Sequence, residues 1–283
     1  MFSIEYFIFC DFSVSFSVFF FECIDFAFVL LYNVGNMEHG EVGMKKLFVC
    51  DFDGTLYKKN NERHFRAIME QVKKLKSGGH EFVVATGRPL HLLKPFFEDF
   101  ENMFFISNDG ALFSKGFEIL YSHPIDKVMI KDNFGGYKGA FLAYGQCITY
   151  ANYREKSVGF KLDEFYRGHV VGIDCVCEIP EDIYKVSFIG SKPKTDLIDK
   201  CWSSYGVTEY VAKGVSKGEC LKIVQKALGF NEENTVVVGD GENDITMMRC
   251  ADKSYAMMSA SPKVKANAGK VTDNLLEILR GEM

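Results

Sequence analysis

The sequence predicts an α/β fold, a parallel sheet flanked by helices and interrupted by an inserted α+β domain, on three observations. Short apolar runs alternate with segments of helical periodicity, and the runs end in polar turns rich in Asp, Gly and Thr. Between about Pro124 and Val207 that pattern gives way to aromatic, Gly-rich and β-branched pieces. Alternating strands and helices indicate parallel βαβ units, whose active sites form at the carboxyl ends of the strands. The expected organisation is a catalytic core from residues 44–123 and 208–283, an inserted cap domain at 124–207, and an atypical N-terminal extension at 1–43.

Taken in order, Leu47-Phe48-Val49-Cys50 reads as a buried strand running into the turn Asp51-Phe52-Asp53-Gly54-Thr55. Phe65, Ile68, Val72 and Leu75 recur at helical spacing before Gly78-Gly79 stops the helix. A second strand, Phe82 to Ala85, ends in Thr86-Gly87-Arg88, and Pro89 suits the first turn of a following helix. A third run, Met103 to Ile106, ends at Ser107-Asn108-Asp109-Gly110. Within the insertion, Cys147–Tyr150, Val170–Ile173 and Tyr184–Ile189 are such aromatic, Gly-rich or β-branched pieces.

The parallel pattern then resumes. Ser216 and Glu219 have capping-box spacing ahead of Leu221, Val224 and Leu228, and Thr235 to Gly239 is another apolar strand ending in Asp240-Gly241-Glu242-Asn243-Asp244. Ser261-Pro262 reads as an N-cap and first-turn proline, and Leu275, Leu276 and Leu279 give the last helix its apolar face.

Composition limits the function classes. With 47% hydrophobic and 25% charged residues the 283-residue chain can bury a sizeable core. A formal charge of -5 gives no reason to expect a nucleic-acid partner, and a small metabolite is the better expectation. Nine cysteines include no CxxC pair. Cys175 and Cys177 are expected to point from one face of a strand as structural thiols, consistent with a reducing, cytoplasmic compartment.

Residues 1–43 differ from the rest: they hold no Lys or Arg, six acids, and dense Phe. Without those six acids the balance is 33 basic against 32 acidic residues, or +1. The stretch from Phe12 to Tyr32 approaches membrane-spanning length, but it contains Glu22 and Asp25. A central Asp costs roughly 2.5 to 3.5 kcal/mol on insertion scales. A membrane anchor and a hydrophobic element packed on the domain are two readings of the segment. The favoured one is upstream sequence ahead of a true start at Met44, because Met44-Lys45-Lys46 leads straight into the first strand. Membrane contact is expected only if the segment is genuine.

Chemistry collects at the strand ends. Asp51 and Asp53 follow one strand, Asp240 and Asp244 another, and such hard oxygen donors suit Mg²⁺, which shares phosphate oxygens. Lys217, in the first turn of a helix, and the backbone N–H groups around Gly54 and Gly87 supply the positive complement. Singly, each is ordinary: Asp after a strand is usually a turn former, and a lone lysine is usually solvated. The joint pattern in one α/β frame carries the functional reading.

That pattern resembles the four motifs of the haloacid dehalogenase superfamily, in order: Asp51-Phe52-Asp53-Gly54-Thr55, Thr86, Lys217, and Gly239-Asp240-Gly241-Glu242-Asn243-Asp244. The insertion between Thr86 and Lys217, with Gly214-Val215-Ser216-Lys217-Gly218, resembles the Cof-type branch with its α+β cap. The likeness implies a Rossmann-like core and a Mg²⁺-dependent phosphatase. It implies that Asp51 attacks phosphorus to form an aspartyl-phosphate and that Asp53 serves as general acid and base. Mg²⁺ would be held by Asp51, the Asp53 carbonyl and Asp240, supported by Asn243 and Asp244, while Thr86 and Lys217 bind the phosphoryl oxygens. Gly87, Arg88 and Asn108 are added as phosphate or substrate contacts, and Tyr153, Arg154 and Lys185 as cap residues reaching the leaving group. The expected substrate is a sugar phosphate. A phosphomutase on the same scaffold and a non-catalytic regulatory binding protein remain the alternatives.

Overall fold

The structure is a computed structural model that describes residues 45–100, 102–152, 170–190, 199–204 and 207–282. The N-terminal segment read above, and the cap candidates Tyr153 and Arg154, lie outside the described residues.

In chain order the strands are β1 (Leu47–Asp51), β2 (Glu81–Ala85), β3 (Phe104–Ser107), β4 (Leu112–Lys115), β5 (Glu118–Ser122), β6 (Ala140–Tyr144), β7 (Thr149–Ala151), β8 (Val170–Gly172), β9 (Lys185–Ile189), β10 (Asp199–Ser204), β11 (Val207–Val211), β12 (Thr235–Gly239), β13 (Lys253–Met257) and β14 (Lys270–Thr272). They form two sheets. An eight-stranded sheet has the order β14-β13-β12-β1-β2-β3-β4-β5, and a six-stranded sheet the order β10-β11-β9-β6-β7-β8. The first is parallel from β14 to β3, with β4 and β5 added antiparallel. The second is antiparallel apart from the β7–β8 pair.

Parallel strands buried on both faces explain the unbroken apolar runs. Phe48 and Cys50 of β1 join Phe82, Val84, Val236 and Val238 on one face, against Phe65, Ile68, Val72 and Leu75. Leu47 and Val49 join Val83, Ala85 and Val237 on the other, against Cys220, Leu221 and Val224. The helices supplying those faces are Glu62–Ser77 and Lys217–Leu228. The first is capped by the Asn61 side chain and closed at Gly78. The second starts on Ser216, whose Oγ accepts from the Glu219 N–H at 3.1 Å, and ends on left-handed Gly229.

Chain direction reverses across β1. The chain moves from β1 to β2 and β3, and after the insertion it returns to β12 on the other side of β1. That is a topological switch point, where open parallel sheets form a ligand crevice. Pairing of Asp51 with Ala85 and of Cys50 with Val238 brings the ends of β1, β2 and β12 to one level.

Two local expectations need correction. Pro89 stays extended (ψ 146°) ahead of a short 3-10 turn, and the helix that follows is only Lys94–Phe97. Cys175 and Cys177 are joined as a disulfide at a 3-10 turn, Val176–Glu178, so they are neither strand neighbours nor free thiols. Residues 208–211 lie in β11, which pairs with β9 of the second sheet.

Candidate active site

The end of β1 supplies Asp51, buried at 6% exposure. Lys217 enters from the first turn of its helix and is more buried still, at 1%. Its Nζ donates to Asp51 Oδ1 at 2.7 Å and to Asp244 Oδ1 at 2.6 Å. The other Asp244 oxygen accepts from the backbone N–H groups of Asp240 and Gly241 at 2.9 and 2.8 Å. Asp244 thus fixes both the lysine and the loop after β12.

Asp240 lies beside this pair, accepting from the Thr55 hydroxyl at 3.2 Å. Carboxylate oxygens of Asp51, Asp240 and Asp244 all fall within 4.8 Å of one another. Gly54 is required here: its φ is +88°, and a Cβ would collide with the Asp240 carboxylate.

Electrostatics follow from burial and crowding. Burial first, then the Asp244 charge, hold the Asp51 carboxyl well above the usual carboxylate range, with Lys217 opposing. Burial and Asp244 push Asp240 the same way. Burial works against the Lys217 ammonium, but Asp244 and Asp51 outweigh it and raise its pKa. Three close carboxylates share one ammonium, and Asp51 Oδ2 is buried with no hydrogen-bond partner. An orphaned oxygen in an all-oxygen cluster fits a hard divalent cation. The Asp53 carboxylate is not part of that cluster, and the Asn243 amide donates to Asp109 Oδ1.

Asp53 stands at the mouth, half exposed, where Arg88 Nε and Nη2 donate to its two oxygens at 2.7 and 2.6 Å. The guanidinium lies 5.1 Å from the Phe52 ring centroid and 5.4 Å from that of Phe96. Thr86 Oγ1 accepts from the Arg88 N–H at 3.0 Å, which shapes the turn after β2.

These groups line a cavity of about 550 Å³ that runs from Asp51, Asp53 and Asp240 past Thr86, Gly87 and Arg88 to Tyr144, Lys185 and Glu209 of the second sheet. Lys217 and Asp244 are buried and do not line it. Asn108 does not line it; its amide is fully buried without a hydrogen-bond partner, and its neighbour Asp109 reaches the cavity instead. Both residues adopt left-handed backbone, φ 50° and 58°, which tightens the turn after β3. Gly110 lets that turn press onto the Ser216 carbonyl at the start of the Lys217 helix.

Asp109 is the residue that strand-end reasoning passed over. It accepts from Asn243 Nδ2 at 2.7 Å and from Lys185 Nζ at 3.2 Å. Burial would raise its pKa, but the Lys185 and Lys217 charges outweigh that and hold it below the usual range. Its signal in the sequence was an acid at a strand end, the same position that made Asp51 and Asp240 conspicuous.

Comparison with known proteins decides the family: the chain matches the haloacid dehalogenase-like hydrolases over residues 48–276. The chain belongs to that family. It is 28% identical over 247 residues to YkrA of Bacillus subtilis, a protein provisionally named a phosphatase, covering 80% of this chain and 91% of YkrA. It is 25% identical over 240 residues to the Escherichia coli 5-amino-6-(5-phospho-D-ribitylamino)uracil phosphatase YbjI, covering 79% of this chain and 89% of that protein. Among solved structures, the subclass IIB sugar phosphatase BT4131 superposes with a TM-score of 0.73 at 22% identity, over 84% of this chain and 100% of that one. This last likeness is one of fold. As a haloacid dehalogenase-like hydrolase the chain is an enzyme, and its core and inserted α+β sheet are those of the family.

Proposed function

We propose that this hydrolase is a Mg²⁺-dependent phosphatase that releases phosphate from a small phosphorylated metabolite, a sugar phosphate, through an aspartyl-phosphate on Asp51. The observation that carries the reading is Asp51 itself. One oxygen is held by the buried Lys217, and the other is buried without a partner beside Asp240. Asp51 and Asp240 side chains and the Asp53 carbonyl would hold Mg²⁺, with Asn243 and Asp244 in support. When bound, the cation would offset the negative charge that otherwise opposes attack on a phosphate ester.

In this reading Asp51 attacks phosphorus in line. Thr86 and the Gly87 backbone take phosphoryl oxygens at the floor, and Lys217 holds Asp51 in place and balances its charge. An arriving phosphoryl group competes with Asp53 for Arg88; Asp53, half exposed, then takes a proton from solvent, passes it to the leaving oxygen, and takes one back from the water that hydrolyses the aspartyl-phosphate. Asn108 would act on the turn that presents Asp109 rather than on substrate.

The core is proposed to comprise residues 44–123 and 208–283 and the cap 124–207, with β11 (Val207–Val211), which pairs with β9 of the cap sheet, spanning the return between them. No helix among the described residues is long and apolar enough to cross a membrane. Cytoplasmic location is part of the proposal, supported by unbonded Cys50, Cys147, Cys220 and Cys250 against the single Cys175–Cys177 bond among the described residues.

The test follows a hexose phosphate with Mg²⁺ and reads both inorganic phosphate and isomerised ester. Phosphate release supports the phosphatase. Isomerisation without release would establish a mutase instead.

A further inference from the structure

One face of the cap sheet contributes to the lining of the cavity that holds Asp51, and its polar groups come together through strand register. Tyr144 of β6 pairs with Lys185 of β9, and Glu209 of β11 pairs with Ser187 of β9. Side chains two apart on a strand share a face, so Lys185, Ser187, Tyr144 and Glu209 form one cluster. Lys185, Tyr144 and Glu209 line the cavity.

Their hydrogen bonds give the cluster one chemical character. The Lys185 ammonium donates to the Gly87 carbonyl, to Asp109 Oδ2 at 3.2 Å and to Glu209 Oε2 at 3.0 Å, which occupies its three N–H groups. The Ser187 hydroxyl donates to Glu209 Oε1 at 2.8 Å. With that proton committed, the Tyr144 hydroxyl is the donor in its 3.0 Å contact with Ser187 Oγ. Glu209 accepts one bond on each oxygen, keeps a lone pair on each, and is 17% exposed toward the cavity. Two carboxylates, Asp109 and Glu209, surround the single Lys185 charge. Among the described residues, Lys185 and Glu209 of the cap together with Asp109 of the core therefore carry one net negative charge at this end of the cavity, where the Lys185, Ser187 and Tyr144 donors are already engaged.

We infer that Glu209 is the specificity-determining residue of the leaving-group pocket, selecting phosphate esters of neutral polyols and rejecting those whose distal end is a carboxylate. This deepens the phosphatase reading above and rests on it. A distal hydroxyl donates to Glu209. A distal carboxylate finds no unengaged donor among Tyr144, Lys185 and Ser187 and meets a like charge at Glu209, and a site built to satisfy buried polar groups discriminates strongly against a partner that leaves them unpaired.

The experiment uses the full chain with Mg²⁺ and two esters that differ only at the far end, sorbitol 6-phosphate (CH₂OH) and 6-phosphogluconate (carboxylate), with p-nitrophenyl phosphate as the generic ester. The wild-type kcat/KM is expected to favour sorbitol 6-phosphate by about tenfold or more, and Glu209→Gln to lower that ratio by about tenfold. Glu209→Asp, which keeps the charge, is expected to keep the preference while raising KM for sorbitol 6-phosphate. Thermal melting checks that both variants fold. A wild-type preference for 6-phosphogluconate, or a Glu209→Gln variant that slows both esters in parallel, overturns the inference. Should Glu209→Gln not fold, loss of the preference in Glu209→Asp overturns it as well. No phosphate from any ester, p-nitrophenyl phosphate included, removes the phosphatase reading and this inference together, whereas release without discrimination removes this inference alone.

Discussion

Lys217 Nζ lies 2.7 Å from Asp51 Oδ1, with the lysine side chain wholly out of solvent and the aspartate 8% exposed. A second carboxylate, Asp244, holds the same ammonium from below at 2.6 Å. Removing one partner of such a buried set leaves uncompensated charge, whereas the intact set adds little net stability. Lys217→Met is therefore expected to cost about 3 to 5 kcal/mol in urea unfolding. It is also expected to lower kcat/KM for p-nitrophenyl phosphate by about a thousandfold, the scale of a lost electrostatic stabiliser. Activity within a few-fold of wild type would place Lys217 in the scaffold only.

Lys185 is one of the side chains that join the core to the cap, alongside His91, which bonds Thr149 of β7. Lys185, at 3% exposure, reaches from β9 to the Gly87 carbonyl and Asp109 of the core while holding Glu209 of the cap. Lys185→Met keeps the length of the stem but strands two carboxylates, so an unfolding loss of about 3 kcal/mol is expected. Stability unchanged in urea would contradict the geometry.

Metal binding is expected to stabilise the fold as well as to support turnover. Adding Mg²⁺ to EDTA-treated protein at about a hundred times its Kd should raise stability by about 2.7 kcal/mol. Asp240→Ala should abolish that increment, because it removes one of the three clustered carboxylates. An unchanged Mg²⁺ response in Asp240→Ala would place the cation elsewhere.

Acid sensitivity should appear far from the active site. Glu282 accepts from Lys253 at 2.6 Å, Lys46 at 2.9 Å and the Tyr255 hydroxyl at 3.0 Å. Partial burial opposes its charge, but these donors outweigh it and bring its pKa down to about 2. A depressed carboxyl contributes stability that is full above its unfolded value near 4.3 and is lost as pH falls toward 2. After allowance for solvent screening, Glu282→Gln should cost about 1 kcal/mol at pH 7. The gap between wild type and variant should close between about pH 5 and pH 2 in denaturant titrations. A gap independent of pH would mean that packing, not charge, is lost.

Much of the core was legible because parallel strands buried on both faces write continuous apolar runs, and each run stops where function begins. Asp51, Thr86 and Asp240 stand at or just after the ends of such runs, whereas Lys217 was placed by the Ser216 cap in the first turn of a helix. Asp109 was missed in favour of Asn108 because two consecutive left-handed residues decide which of the pair faces the cavity, and neither is a glycine. Glu209 was unreadable for a different reason. Its place opposite Ser187 is set by pairing between strands 22 residues apart in sequence, with β10 between them, and local periodicity carries no record of that register. The helix after β2 was overestimated because Pro89 satisfies the rule for a helix start equally well when it opens a 3-10 turn.

The central claim is that Asp51 carries the phosphoryl group. Rapid acid quenching during turnover of p-nitrophenyl phosphate, followed by mass spectrometry of the peptides, tests it most directly. A phosphoryl group on Asp51 that requires Mg²⁺ and is absent, together with turnover, in Asp51→Asn is the predicted result. Phosphate release persisting in Asp51→Asn, or a label on a different residue, would contradict the account.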